Sequence, residues 1–251
     1  MVKSQKTINF IILTIIVIVL VGLSFYYKAL TRKEILTAKQ DDNYNSINFK
    51  LSLFSDSTYQ FVESFPKNPD TTTITKGKYY ITNDTLYFKN DIKNLKGAKG
   101  VLKNNTIDLV SADYYNRLVI THSSLKIKSL IDSKKHPDFA VFNYNQKFDH
   151  NYISGTTYDL TEEDILEIIK IIDGCPSENG GRKLKSEDYW KQCIAVINNK
   201  GEKEVLLNCS CRPHHAFQYG IFSIMDGGSC YMRMKINLTT NSCYDITFNG
   251  Y

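Results

Sequence analysis

The pattern of hydrophobic residues begins with one uninterrupted apolar run at residues 7–27, which contains no charged side chain. A helix of this length would be about 31 Å long at ~1.5 Å per residue, close to the hydrocarbon thickness of a bilayer. Aromatic residues end the run at positions 25–27, as they do at membrane interfaces. The pattern predicts an N-terminal transmembrane helix within a membrane anchor and juxtamembrane segment at residues 1–40. A cleaved signal peptide is the alternative, because Gly22-Leu23-Ser24 has the form of a cleavage site.

Residues 41–150 change to short runs in which apolar and polar residues alternate, as in Phe49-x-Leu51-x-Leu53. Alternation with a period of two places one side of each strand in a core. Polar turns such as Asn83-Asp84 separate these runs at intervals of roughly eight to twelve residues. The spacing predicts an all-β antiparallel meander, curled into a small barrel or sandwich.

Residues 151–251 begin with a single helix. Thr161 is a suitable N-cap, Leu160 can contact Ile165 across the first turn, and Gly174 can end the helix. Isoleucines recur every three or four residues, which predicts one buried face. The three acids at positions 162–164 resemble a metal or acid–base cluster, but in the first helical turn they are typical of stabilisation of the positive end of the helix dipole.

The rest of this part is predicted to form strands at residues 193–197, 202–211, 219–225, 230–238 and 244–248. An α+β domain with one helix on one face of an antiparallel sheet, cystatin-like in outline, is the economical arrangement. Pro137 and an Asn-rich stretch at residues 143–151 provide a linker to the preceding domain.

The middle region resembles a known class of small β-barrels. Its pattern Gly77-x-Tyr-x-Ile-x-x-Asp84-x-Leu-x-Phe is similar to the lipocalin-like modules of bacterial envelope proteins, including the N-terminal module of the copper-resistance lipoprotein family. The resemblance implies a barrel whose mouth holds a small apolar ligand, and a barrel filled by its own side chains is the alternative. A copper site is not supported, since the module has no cysteine and His122, His136 and His150 lack ligand spacing.

The C-terminal region resembles a family of uncharacterised envelope proteins of Bacteroidota. The motifs that carry this resemblance are Asn208-Cys-Ser-Cys211, Asp226-Gly-Gly-Ser-Cys230-Tyr and Lys235-Ile-Asn-Leu238. The resemblance implies a place in the cell envelope and brings no activity with it. This chain departs from the family pattern at Leu206-Leu207, at His214-His215 and in its additional cysteines Cys175, Cys193 and Cys243. Because Cys193 and Cys243 are both additional, we hypothesise that they pair.

All six cysteines lie in the last 77 residues: Cys175, Cys193, Cys209, Cys211, Cys230 and Cys243. An even, clustered set behind a membrane-targeting segment predicts a disulfide framework in an oxidising compartment. We therefore predict a single-pass protein of the cell membrane with periplasmic C-terminal domains. The predicted strand directions place Cys230 at the opposite end of the sheet from Cys193, Cys209, Cys211 and Cys243.

Charge and orientation add two constraints. The net charge of +5 resides entirely in residues 1–40, and the remaining chain has 25 basic and 25 acidic residues. A neutral body gives no reason to expect nucleic acid as a partner. More Lys and Arg follow the apolar run than precede it, which taken alone favours a cytoplasmic body. A cytoplasm-facing zinc or thiol protein is therefore an alternative.

The candidate chemistry is concentrated in Cys209, Cys211, His214 and His215, four ligand types suited to zinc or copper within seven residues. Two disulfide half-cystines followed by a surface loop explain the same pattern. Common nucleotide-binding, hydrolase and metalloprotease motifs are absent from the sequence. We predict no cofactor and no catalytic residue. The sequence favours a non-enzymatic module that binds a small apolar ligand or an envelope protein, with a metal-binding or redox stress sensor as the alternative.

Overall fold

The computed structural model describes residues 2–42, 47–89, 99–110, 116–177, 183–214, 217–222, 224 and 227–249. The helices are α1 (Val2–Thr31), α2 (Gln146–Asp149) and α3 (Glu162–Gly174), with 3₁₀ turns at Pro69–Thr71, Ser186–Asp188 and Gly228–Cys230. The strands are β1 (Glu34–Asp42), β2 (Ile47–Phe54), β3 (Thr58–Ser64), β4 (Thr73–Thr82), β5 (Thr85–Phe88), β6 (Lys99–Lys103), β7 (Thr106–Leu109), β8 (Asn116–Ser123), β9 (Phe139–Phe142), β10 (Thr156–Thr157), β11 (Trp190–Ile197), β12 (Lys203–Ser210), β13 (Tyr231–Asn237) and β14 (Ser242–Phe248).

Helix α1 is long and apolar enough to cross a membrane. Its segment Phe10–Tyr27 contains 18 residues, none of which is buried against the rest of the protein. The predicted N-terminal apolar helix is confirmed in length and composition. Its end is joined to the barrel, because Ser55 Oγ donates to the Thr31 carbonyl at 3.2 Å and accepts from the Lys33 amide at 3.0 Å.

Strands β1 to β8 form the predicted antiparallel meander. Each strand pairs with the next along the chain, and β1 pairs with β8 to close an eight-stranded barrel. Thirteen buried apolar residues fill its interior: Leu36, Ala38, Leu51, Leu53, Tyr59, Phe61, Tyr79, Leu86, Leu102, Ile107, Leu109, Leu118 and Ile120. The alternation of the sequence supplies these side chains, since successive residues of a strand point to opposite faces.

Two glycines inside the barrel allow large neighbours to occupy its centre. A Cβ atom at Gly77 would lie 2.7 Å from Cε1 of Tyr59, and one at Gly100 would lie 2.6 Å from Cγ2 of Ile107. Both distances are far below van der Waals contact, so any side chain at these positions would push the ring or the methyl group aside. The sequence left two alternatives, a barrel with a ligand in its mouth and a barrel filled by its own side chains. The observed interior corresponds to the filled barrel.

The C-terminal residues form a six-stranded sheet in which β11 pairs with β9, β10 and β12, with α3 on one face. Helix α3 begins at the predicted N-cap, Thr161, and the structure adds a capping box: Thr161 Oγ1 accepts from the Asp164 amide, and the Asp164 carboxylate accepts from the Thr161 amide. Its isoleucines pack on the sheet, while Phe217 and Phe222 cover the opposite face. The predicted helix on a sheet is confirmed.

Three predictions for this part are corrected. Strand β9 pairs in parallel with β11, so the sheet is mixed and not purely antiparallel. Because β9 belongs to this sheet, the domain begins before the predicted boundary at residue 150, after the barrel ends at Ser123. Of the predicted strand at 219–225, the described residues 219–222 and 224 form no strand. They cover the sheet instead, with Phe222 buried against it.

Candidate functional site: the cleft between the two domains

The barrel and the C-terminal sheet meet along the outer face of β7 and β8. Ile107 and Leu109 point into the barrel, so Asp108 points outward between them, and on β8 the outward positions are Arg117 and Val119. Strand β9 pairs with β11 along one edge, and its other edge lies against this face of the barrel, where the Val141 carbonyl accepts from Arg117. The same alternation that builds the barrel core therefore presents an acid and a base to the second domain.

A buried ion pair on the outer face of the barrel bonds to the segment that contains β9. The side chains of Arg117 and Asp108 are each 5% exposed. Arg117 Nε and Nη2 donate to the two carboxylate oxygens of Asp108, and Nη2 also donates to the Val141 carbonyl on β9. The Asn143 amide and side chain donate to the same carboxylate at 3.1 and 2.8 Å. The guanidinium carbon lies 3.8 Å from the centre of the Phe142 ring. The buried guanidinium and the buried carboxylate are therefore each compensated by an opposite charge and by hydrogen bonds, as burial of charged groups requires.

A second set of contacts holds the turn between β6 and β7 against the C-terminal domain. Lys103 and Lys128 form ion pairs with Asp159, at 2.5 and 3.5 Å. Burial of the Asp159 carboxyl would raise its pKa, but the hydrogen bonds and charges of Lys103 and Lys128 together outweigh burial and lower the pKa below its ordinary value of 3.8. Asn104 Oδ1 accepts from the Leu130 amide at 2.8 Å. These contacts and the Arg117 pair fix the two walls of the seam relative to each other.

Between these contacts the seam opens into a cleft of about 80 Å³. The residues that line it are Asn104, Asn105, Thr106, Arg117, Val119, Ile131, Ser133, Phe139, Ala140, Val141 and Gln218. Asn104 and Asn105 reach the cleft from a tight turn in which both have positive φ, at 48° and 61°. Asparagine tolerates this conformation better than most residues. Of the described residues lining the cleft, Arg117 alone is ionisable, and its charge is balanced by Asp108.

The cysteines form two disulfides. Cys175 bonds Cys243, which ties the end of α3 to β14, and Cys211 bonds Cys230, which joins the ends of β12 and β13. The hypothesis that Cys193 pairs with Cys243 is wrong. Cys230 lies at the same end of the sheet as Cys211, and not at the opposite end, because no strand from the 219–225 region intervenes and β12 pairs directly with β13.

Cys193 and Cys209 are free thiols, so the prediction that all six cysteines form disulfides is corrected. Both are fully buried among the residues that pack under α3. Burial raises the pKa of Cys209 to about 12 and raises the pKa of Cys193 as well. A thiol that stays protonated is a poor nucleophile and a poor metal ligand. Redox chemistry at these two positions is therefore disfavoured while the domain is folded.

The four candidate metal ligands do not assemble in the part that the structure describes. Cys209 lies under α3, Cys211 is bonded to Cys230, and the His214 ring lies 5.4 Å from the Phe222 ring near the opposite face of the sheet. His215 lies outside the described residues. Within the described ranges, no group of three His, Cys, Asp or Glu side chains is placed to hold a metal ion.

No protein-family model, curated protein or solved structure matches the chain. Sequence reasoning missed the cleft and its Asp108–Arg117 pair. The available signal was an acid between two apolar residues in Ile107-Asp-Leu109 and a base directly before an apolar run in Arg117-Leu-Val. That signal identifies outward-facing charges, but it does not show that another domain covers them.

Proposed function

We propose that this protein is a single-pass, extracytoplasmic binding module of the cell envelope, held by α1 and binding a protein partner through the interdomain cleft. The observation that carries this proposal is the chemistry of the cleft walls. They combine amide and hydroxyl side chains with a few apolar ones, and their described ionisable group is neutralised by a partner. General acid–base and nucleophilic catalysis need a titratable group at the reacting atoms. Walls of this composition suit recognition of a partner through hydrogen bonds and van der Waals contacts.

The size of the cleft favours a protein partner over an enclosed small molecule. Its volume of about 80 Å³ is well below the roughly 300–1,000 Å³ typical of sites for drug-sized ligands. A single side chain projecting from a partner surface fits such a space. The closed up-and-down barrel supports the lipocalin-like description, but its interior is occupied by its own side chains, so we place binding outside the barrel.

The exported location rests on α1 and the two disulfides. Disulfides persist in oxidising compartments and are rare in the cytoplasm. The resemblance of the C-terminal motifs to Bacteroidota envelope proteins supports the same location. A reporter enzyme that is active only outside the cytoplasm, fused behind the C-terminus, should be active. An inactive reporter, together with six reduced cysteines, would favour the cytoplasm-facing alternative.

Partner binding is tested with a photoreactive residue at Ser133, which is exposed at the rim of the cleft. A discrete crosslinked species is expected in intact cells. Substitution V119W should remove it, because the indole fills the space beside the β8 wall. A photoreactive residue at Leu166, which is 52% exposed on α3, is the matched control. The proposal fails if both positions give the same species, or if V119W leaves the crosslink unchanged while the protein stays folded.

A further inference from the structure

A second concave surface lies where α1 meets the barrel. Its residues are Arg32, Asp56, Thr58, Tyr59, Lys76, Gly77, Lys78 and Lys89, and we call it the basic groove. The groove has a volume of about 550 Å³. Four of its side chains are cationic and one is acidic, so it has three positive charges in excess. Even without Arg32, which belongs to residues 1–40, the groove has two positive charges in excess on a body whose basic and acidic residues are equal in number.

The three lysines are brought together by the register of β4 and β5. Lys76 and Lys78 occupy alternate positions of β4 and therefore share its outer face. The Lys89 amide donates to the Lys78 carbonyl at 2.8 Å, which places these two residues opposite each other. Like charges directly opposite in a sheet are destabilising. All three side chains are exposed, and none has a carboxylate partner among the described residues. Such an arrangement indicates a polyanionic partner.

The acid in the groove is already engaged. The Asp56 carboxylate lies 3.9 Å from Arg32 Nε and accepts from the Thr58 amide at 3.1 Å. Arg32 also stacks on the Phe54 ring, with 3.7 Å from the guanidinium carbon to the ring centre. Asp56 and Phe54 thus hold Arg32 at the edge of the groove, and the lysine charges remain available.

The position of the groove indicates which anion it meets. Helix α1 ends beside the turn between β2 and β3, and the turn between β4 and β5 lies at the same end of the barrel because successive strands alternate in direction. Beyond Lys78 on the same face, the rings of Tyr80 and Tyr87 stack with centres 4.9 Å apart, and Tyr80 is 47% exposed. Lysines followed by an exposed tyrosine ring stacked on a half-buried one, next to an apolar helix, are the composition of a membrane interface.

We propose that the basic groove binds the phosphate-bearing head groups of anionic lipids in the leaflet from which α1 emerges. The bound lipids hold the β4–β5 side of the barrel against the membrane surface and so fix the direction in which the interdomain cleft faces. This inference rests on the membrane anchoring of the proposed function, but not on partner binding.

The test uses the full-length protein in nanodiscs of phosphatidylcholine alone or with added phosphatidylglycerol. Lysine acetylation is followed at single residues by mass spectrometry. We expect acetylation of Lys76, Lys78 and Lys89 to slow by about fivefold in the anionic discs and to recover in high salt. Lys170 and Lys185, which are exposed on the C-terminal domain, are internal controls and should not change. Equal rates in the two lipids overturn the proposal.

Two further experiments distinguish a lipid head group from free phosphate, and failure of this proposal from failure of the membrane anchor. Inorganic phosphate added to the phosphatidylcholine discs should give no protection, and protection equal to that by the lipid would overturn the assignment to a lipid head group. The variant K76Q/K78Q/K89Q should lose the phosphatidylglycerol that co-purifies with the wild type, whereas K134Q/K170Q/K185Q should keep it. Release of the protein from membranes by carbonate, without detergent, would overturn the anchor and this proposal together. Retention without lipid dependence overturns only this one.

Discussion

The ion pair between Arg117 and Asp108 is the contact whose removal should most affect the coupling of the two domains. In the variant R117M, Asp108 keeps the two hydrogen bonds from Asn143 but loses those from the guanidinium, together with its positive charge. Because the Asp108 side chain is 5% exposed, water cannot replace the lost partner without opening the seam. The Val141 carbonyl also loses its donor.

The magnitude follows from the burial of both groups. Breaking a buried pair by removing one partner costs about 3–5 kcal/mol, because the remaining charge is uncompensated. A chain of this size loses roughly 2–4 °C of melting temperature per kcal/mol. We therefore expect R117M to melt roughly 6–20 °C below the wild type. The variant R117M/D108L should recover most of the loss, since apolar replacement of a whole buried pair is often close to neutral.

The assay is thermal unfolding of the full-length protein in detergent, followed by circular dichroism, for the wild type, both single variants and the double variant. The matched control is K170M, which removes one member of the exposed Lys170–Glu167 pair and should change stability by at most about 0.5 kcal/mol. If R117M costs no more than K170M, or if the losses of the two single variants simply add, the pair is not a buried link and the argument is refuted.

Three further predictions follow from the barrel, the interface and the thiols. G77A should destabilise the protein by about 1–3 kcal/mol, because the added methyl meets the Tyr59 ring at 2.7 Å; G174A, with no neighbour within 4 Å, should be nearly neutral in the same unfolding assay. Asp159 has a pKa below its ordinary value of 3.8, so its contribution is present above that pH and is lost as the pH falls through its folded pKa; the melting temperature of D159N should therefore fall less between pH 7 and pH 3. Alkylation should modify Cys193 and Cys209 only after unfolding, and modification of the native protein would contradict their burial.

The local features of the fold were predictable from the sequence. The alternation of the barrel strands, the apolar helix α1 and the N-cap of α3 are each encoded within about ten to thirty neighbouring residues, where periodicity and capping chemistry act directly. Register inside hairpins such as β11–β12 follows from the turn that joins them.

The features that depend on distant pairings were not predictable. Strand β9 pairs with β11 across about 50 residues of chain. No local pattern predicts that a four-residue apolar run will pair in parallel with a strand so far away. The assignment of a strand at 219–225 then misplaced Cys230 relative to Cys211. The cleft depends on the same long-range contact, because its second wall is β9. The sequence shows which residue types the barrel presents on its outer face, but it does not show which residues of the second domain lie against them.

The two reduced sulfurs beneath α3 have a consequence for how the protein matures. Before the C-terminal sheet closes, all six thiols are equally accessible to an oxidant, and fifteen complete pairings are open to them. The pairing of β12 with β13 brings Cys211 to Cys230. Docking of α3 brings Cys175 to Cys243 and covers the two cysteines that stay free. The yield of correctly bonded molecules therefore depends on whether the sheet closes faster than the thiols are oxidised. A slower-folding variant should accumulate mispaired chains in proportion to the oxidising strength of its surroundings.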